Sequence, residues 1–244
     1  MPATDAIPTA VLCGGQGTRL GAATAANLPK ALIALGGRPI LWHILRLYAQ
    51  QGFRHFILCL GYRGEDIRRQ LRPEPDWKVE YADTGAATPT GGRLAAIADR
   101  VQTPDFFVTY GDGLADLDLT ALLAFHRRHQ RRGTLTAVQP RLPFGLLQLG
   151  ADNAVTGFHE KPYSPDWING GFFAFRREFL DTLRPDQALE GAPLERLAQQ
   201  DQLRAFPHRG FWACLDTYKD RMELDALCQP GPPPWGRAGG ASAE

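Results

Sequence analysis

Residues 7–20 read Ile-Pro-Thr-Ala-Val-Leu-Cys-Gly-Gly-Gln-Gly-Thr-Arg-Leu: an apolar run, Ile7 to Leu12, feeds into Gly14, Gly15 and Gly17 and then into Thr18 and Arg19. A strand that opens into a glycine loop with a cation on its far side is a way to hold a phosphate chain. Glycines let backbone N–H groups approach the anion closely, and the arginine neutralises it. The spacing excludes two common versions of this device. A P-loop ends in Gly-Lys-Ser/Thr, which is absent. The dinucleotide fingerprint needs a glycine three residues after Gly17, where this chain has Leu20.

Outward from this strand, the first half of the chain alternates strand and helix. Apolar periodicity predicts helices over 40–51, 64–71, 92–101 and 117–131, the last with Asp118 as N-cap, and strands over 53–60, 77–82 and 105–110. That rhythm predicts an α/β fold: a Rossmann-like, mostly parallel sheet with helices on both faces. The second half changes character. Short runs at 135–139, 146–149 and 155–159, divided by Pro, Gly and Asn, predict a small β-rich insertion. A strand over 168–175, helical stretches near 177–183 and 193–200, a strand within 203–215 and a helix over 217–228 complete a single domain, 1–228. The tail, 229–244, is rich in Pro, Gly and Ala and is expected to be loosely attached, with Trp235 as its anchor.

A length of 244 residues is ample for a core of this kind, and 44% hydrophobic with 22% charged residues is ordinary for a soluble globular chain. The formal net charge of +1 gives no long-range field that would favour nucleic acid or a membrane surface. Arginines between Arg54 and Arg72 and the run His126 to Arg132 fit solvated helix faces, and His126 and His129 are expected at the surface rather than on a metal. The four cysteines form no CxxC pair, and several sit in or beside apolar runs as small hydrophobes. No apolar run could span a bilayer and residues 1–6 lack signal-peptide character, so the expected setting is cytoplasmic.

In an open α/β sheet, ligands bind beyond the carboxyl ends of the strands. There the sequence places the glycine loop, Asp83-Thr84-Gly85, Gly111-Asp112-Gly113 and Leu215-Asp216-Thr217. Two acids, Asp112 and Asp216, thus stop two apolar runs where a ligand would lie, and hard oxygen donors of this kind suit Mg²⁺. A single strand-end aspartate is more often a turn or cap residue, but the glycines around Asp112 leave its carboxylate open to close approach. Asp116-Leu117-Asp118 forms a DxD, the metal motif of many glycosyltransferases, although Asp118 is better placed to cap the next helix. Lys30 after Pro29, and Lys161 in Glu160-Lys161-Pro162, are loop cations restricted by neighbouring prolines. The adjacent glycines of Ile168-Asn169-Gly170-Gly171-Phe172 suggest close approach of a ligand or another backbone.

Together these residues resemble the sugar-1-phosphate nucleotidyltransferases, marked by GGxGTRL, here Gly14 to Leu20, followed by Pro29-Lys30. The nearer resemblance is to their glucose-1-phosphate cytidylyltransferase branch. It runs through Gly36 to Ile44, Asp83-Thr84-Gly85, Thr90 to Leu94, Tyr110 to Gly113, Glu160-Lys161-Pro162, Ile168 to Phe173, Gly210-Phe211-Trp212 and Asp216-Thr217. The resemblance implies a nucleotide-diphospho-sugar transferase fold and roles for the matching positions. Leu12, Gly14, Gly15, Gly17, Thr18, Arg19, Lys30, Thr90, Gly91, Gly92, Arg93 and Asp112 would bind the nucleotide, with Arg19 and Lys30 on the phosphates that leave as pyrophosphate. Gly145, Glu160, Lys161, Asn169 and Gly170 would bind the sugar phosphate, and Asp112 and Asp216 the Mg²⁺. Arg19, Lys30, Asp112 and Lys161 would be catalytic, the partners would be a nucleoside triphosphate and a sugar 1-phosphate, and a homo-oligomer is expected.

Cys13 departs from the usual alanine, Leu28 from a frequent lysine, and Ala192 from the acid that relatives tend to carry before Pro-Leu. The stretch between Leu71 and Asp83 is shorter than in the cytidylyltransferases. The reaction implied is attack by a sugar phosphate oxygen on the α-phosphorus of CTP, with α-D-glucose 1-phosphate as acceptor. The same reaction with another base (UTP, dTTP or GTP) or another phosphorylated acceptor, a DxD glycosyltransferase and a catalytically silent nucleotide or sugar sensor are the alternatives.

Overall fold

The computed structural model describes residues 6–15 and 28–236. The first half builds β1 (Pro8–Leu12), β2 (Ala34–Leu35), β3 (Arg38–Pro39), α1 (Ile40–Ala49), β4 (His55–Leu60), α2 (Gly64–Gln70), β5 (Lys78–Asp83) and α3 (Thr90–Ala95). It continues with β6 (Asp105–Tyr110), β7 (Gly113–Ala115), α4 (Leu119–His129) and β8 (Gly133–Val138). The second half adds β9 (Leu146–Leu149), β10 (Val155–His159), β11 (Ile168–Arg176), α5 (Ala192–Gln199), β12 (Leu203–His208), β13 (Trp212–Cys214) and α6 (Tyr218–Ala226).

Seven strands form one sheet in the order β12-β8-β11-β6-β1-β4-β5. Only β11 runs antiparallel to its neighbours, β6 and β8; the other pairings are parallel. The inner strands β1 and β4 are buried on both faces, which is why they read as largely apolar runs rather than as alternation. Val11, Phe56 and Leu58 pack with Ile40 and Leu45 of α1 and Leu122 of α4, whereas Ala10, Ile57 and Cys59 pack with Leu94 of α3 and Leu197 of α5. Helices therefore cover both faces, as the strand-helix rhythm predicts.

The hairpin β9-β10 stands apart from the sheet as the β-rich insertion, between paired residues Val138 and Ile168. Because β8 runs parallel to β6 through β11, the insertion is rooted at the sheet edge where β1 and β6 end. Asp118 caps α4 by accepting from Ala121 N at 2.8 Å. His126, expected at the surface, is instead fully buried: its Nδ1 pairs with Thr134 Oγ1 at 2.8 Å beneath α4. In the described part of the tail, Trp235 is buried and its Nε1 donates to His43 Nδ1 at 3.2 Å. Residues 237–244 lie outside the described region.

Candidate active site

The strand ends of β1 and β6, the start of α3, the glycines of β11 and the end of β13 enclose a cleft of about 640 Å³. Leu12, Gly14, Gly15, Lys30, Thr90, Arg93, Asp112, Asn169, Gly170 and Asp216 line it, joined by Tyr110, Glu190, Trp212 and Cys214. Gly17, Thr18 and Arg19 lie outside the described residues.

Lys30 is central. Pro29 starts a single 3-10 turn whose next residues, Ala31 and Leu32, are buried in the core, so the lysine side chain is aimed from a fixed base. Its Nζ lies 2.7 Å from Asp112 Oδ2 and 2.6 Å from Asp216 Oδ1. Burial opposes the ammonium charge, but Asp112 and then Asp216 outweigh it and raise the lysine pKa above its usual value. Each carboxylate is held by backbone architecture. Gly111 N donates to Leu12 O at 3.1 Å, tying the Asp112 turn to the exit of β1. Leu215 N donates to Asp112 O at 2.9 Å, bringing the two acid-bearing turns together. Thr217 caps α6 in a capping box with Asp220, whose Oδ2 also accepts from Asp216 N at 3.0 Å. Asp112, Cys214 and Asp216 present ligand atoms all within 4.8 Å of one another. Two carboxylates converging on one positive centre fit a divalent cation.

Arg93 lines the cleft and also reaches the backbone behind it. Its guanidinium is buried and donates to Leu60 O at 2.9 Å, Thr84 Oγ1 at 2.7 Å, Gly14 O at 3.1 Å and Ala86 O at 3.4 Å. It bolts the start of the glycine loop to the ends of β4 and β5. A Cβ at Gly14 would lie 2.2 Å from Arg93 Nη1, so only glycine lets this bolt close. Gly91 and Gly92 do not line the cleft; a Cβ on them would meet the backbone of Gln187 at 2.7 Å and Pro185 at 2.1 Å. They seat α3 against the 185–189 segment.

That seating brings in Glu190, which sequence reasoning missed. Position 192 itself is alanine, and the acid that faces the cleft is Glu190. Glu190 accepts from Thr90 Oγ1 at 2.6 Å and from Tyr110 OH at 2.5 Å, while Leu189 N donates to Thr90 Oγ1 at 2.8 Å. Burial, and then Glu190, push the Tyr110 phenol's pKa up, so it stays a donor. Opposite, Gly171 has φ +80° and a Cβ there would lie 2.6 Å from Tyr110, which accounts for one of the adjacent glycines in β11. Trp212 Nε1 donates to Gly170 O at 2.8 Å and fixes the neighbouring Asn169.

Asn169 and Gly170 thus stand in the cleft, whereas Gly145, Glu160 and Lys161 stand on the insertion and do not line it. Lys161 adopts φ +47°, uncommon for a non-glycine residue, and its Nζ rests 3.7 Å from Glu160 Oε1. Asp116 and Asp118 do not line the cleft either: Asp116 pairs with His208 at 3.0 Å and Asp118 is the helix cap. Cys214 is legible in the sequence only as a small hydrophobe, yet its thiol faces the two acids, and burial followed by Asp112 raises its pKa so that it stays protonated.

The chain is 40% identical to glucose-1-phosphate cytidylyltransferase of Salmonella typhimurium, covering 92% of this chain and 97% of that one. It is 35% identical to a probable glucose-1-phosphate cytidylyltransferase of Bacillus subtilis over the same shares of the two chains. Among solved structures, a putative glucose-1-phosphate thymidylyltransferase from Bacillus anthracis superposes with a TM-score of 0.73 at 16% identity, covering 96% of this chain and 100% of that one; at that identity the likeness concerns the fold alone. The family model described as nucleotidyl transferase matches residues 9–222, nearly the whole chain, and the chain belongs to that family.

Proposed function

We propose that this enzyme transfers a cytidylyl group from CTP to α-D-glucose 1-phosphate, giving CDP-glucose and pyrophosphate. The observation that carries the reading is the convergence of Lys30, Asp112 and Asp216 at the mouth of the glycine turn. CTP and glucose 1-phosphate come from the 40% identical relative. The nucleophile, a sugar phosphate oxygen, is already an anion, so no general base is required, and no histidine lines the cleft among the described residues. The difficulty is to bring two polyanions together and stabilise charge moving onto the leaving pyrophosphate. Asp112 and Asp216 would hold Mg²⁺, which when bound neutralises triphosphate charge. Lys30 would turn from the carboxylates to the phosphates, and Arg19 would face the leaving pyrophosphate. Thr90, Gly91, Gly92 and Arg93 would shape the nucleotide side. Asn169 and Glu190 offer a donor and acceptors, the pair of functions that reads sugar hydroxyls.

Lys161, on the insertion with Gly145 and Glu160, would bind the sugar's phosphate. Its side chain is 46% exposed and so has room to swing. Lys161→Ala should raise the KM for the sugar phosphate about 10- to 100-fold, the worth of one charge-assisted contact, and leave that for CTP nearly unchanged. An effect confined to CTP would contradict this role.

The reading is tested by crossing CTP, UTP, dTTP and GTP with a panel of sugar 1-phosphates, with and without Mg²⁺, and measuring pyrophosphate. The expected result is Mg²⁺-dependent release that is fastest with CTP and glucose 1-phosphate. Consumption of a nucleotide-sugar with release of nucleoside diphosphate would favour the glycosyltransferase alternative instead.

A homo-oligomer and a cytoplasmic setting belong to the same proposal. The insertion exposes Phe144 (76%), Phe158 (61%) and Tyr163 (72%), and an isolated two-stranded hairpin is marginal in water, which supports a second copy of this chain as its cover. Phe144→Asp with Phe158→Asp should halve or further reduce the size seen by sedimentation; an unchanged size would exclude this surface. Four unpaired cysteines support a reducing compartment, and among the described residues no helix is long and apolar enough to cross a membrane.

A further inference from the structure

We infer that Cys214 is a third donor of the cation seat, so that this seat takes thiophilic divalent cations such as Cd²⁺ and Co²⁺ through an oxygen-sulfur-oxygen set, while oxygen-seeking cations use the two carboxylates alone. The inference rests on the assignment of Asp112 and Asp216 as cation ligands. Strand pairing builds the arrangement: β13 runs antiparallel to β7 with Cys214 opposite Gly113, the residue after Asp112. Asp216 follows Cys214 by two residues. The Cys214 Sγ lies 3.7 Å from Asp216 Oδ2, and the ligand atoms of Asp112, Cys214 and Asp216 are mutually within 4.8 Å. A tetrahedral ion bound to sulfur at about 2.3 Å and to a carboxylate oxygen at about 2.1 Å sets those two atoms about 3.6 Å apart. The Cys214–Asp216 edge therefore already has the length such an ion requires.

A second observation marks where the positive charge belongs. The Lys30 ammonium sits 2.7 Å from Asp112 and 2.6 Å from Asp216, so both carboxylates already point at one cationic centre on the side of the cleft that Cys214 lines. A thiophilic ion entering there displaces the ammonium and converts the thiol to a thiolate, whose proton leaves to solvent. Mg²⁺ and Mn²⁺ gain little from sulfur, so the thiol separates the two classes of ion.

The test uses full-length protein without nucleotide, titrated with Cd²⁺ and followed by the sulfur-to-cadmium charge-transfer absorption. Mn²⁺ binding is followed in parallel by the electron paramagnetic resonance of the free ion. Both titrations are run on wild type, Cys214→Ser, Asp112→Asn and Lys30→Met, the last removing the competing ammonium. In wild type and Lys30→Met a charge-transfer band should saturate at one equivalent. In Cys214→Ser that band should vanish and Cd²⁺ affinity should fall at least about tenfold, since even indirect support of a ligand is worth that much. Mn²⁺ affinity should be unchanged in Cys214→Ser and lost in Asp112→Asn. A band that persists in Cys214→Ser, and so belongs to another cysteine, overturns the inference while Mn²⁺ binding keeps the carboxylate assignment. Failure of both ions to bind in Lys30→Met as well as wild type overturns both.

Discussion

Asp112→Asn should lower kcat by about 10³-fold, the scale expected when a centre that stabilises transition-state charge is removed. The substitution keeps the side chain's shape and its place between Gly111 and Gly113, so the Gly111–Leu12 and Leu215–Asp112 backbone bonds that tie β6 to β1 and to β13 remain. What changes is charge. One of the two carboxylates that face Lys30 becomes neutral, the seat loses an anionic ligand, and Lys30 keeps only Asp216 as its pairing acid in that seat. The cleft should then hold its divalent cation more weakly and present the triphosphate with one fewer fixed positive centre. Steady-state pyrophosphate release measures the rate. Turnover within tenfold of wild type would sink the assignment of Asp112 to the cation.

The second large effect is structural. Arg93→Met should lower the thermal midpoint of the ligand-free protein by about 6–12 °C. Removing the guanidinium takes one donor each from Leu60 O, Thr84 Oγ1 and Gly14 O in a buried place. Set against the relief of no longer burying a charge, each lost bond costs about 1 kcal/mol net, about 3 kcal/mol for the three, and each kcal/mol is worth roughly 2–4 °C in a domain of this size. The loss should fall on the glycine loop, so the KM for CTP should rise as well. Differential scanning calorimetry without substrates separates the possibilities. A residue that only touched the nucleotide would leave the ligand-free midpoint where it was, and that result would refute the bolt.

Much of the fold is legible in the sequence because it rests on period. Strands buried on both faces show as the largely apolar runs at β1, β4 and β6, and α1 and α4 show apolar residues at helical spacing. Short elements are harder to read. The segment 203–215 resolves into β12 and β13, the latter only three residues long and defined by its pairing with β7 rather than by any pattern of its own. The expected helix over 92–101 starts earlier, at Thr90 after Pro89, and ends at Ala95, giving way to a 3-10 turn at Ala98–Arg100 once Ile97 leaves helical geometry.

The site divides in the same way. Asp112 and Asp216 are visible because strand ends of an open α/β sheet converge on the ligand, and Lys30 because proline fixes its loop. Arg93 is visible as a cation but not as a bolt, since spacing does not say whether a guanidinium faces solvent or the carbonyls behind it. Glu190 is hidden because position 192, where relatives tend to carry an acid, is alanine, and only the packing of 185–189 on Gly91 and Gly92 turns Glu190 into the cleft. His126 looks like part of a basic surface run, yet helical period carries it under α4 to Thr134.

The central claim is that a phosphate oxygen of glucose 1-phosphate attacks the α-phosphorus of CTP. It is tested by supplying glucose 1-phosphate with ¹⁸O in the non-bridging phosphate oxygens, together with unlabelled CTP and Mg²⁺, and analysing both products by mass spectrometry. All of the label should appear in CDP-glucose and none in pyrophosphate; label in pyrophosphate, or unlabelled CDP-glucose, would contradict the account.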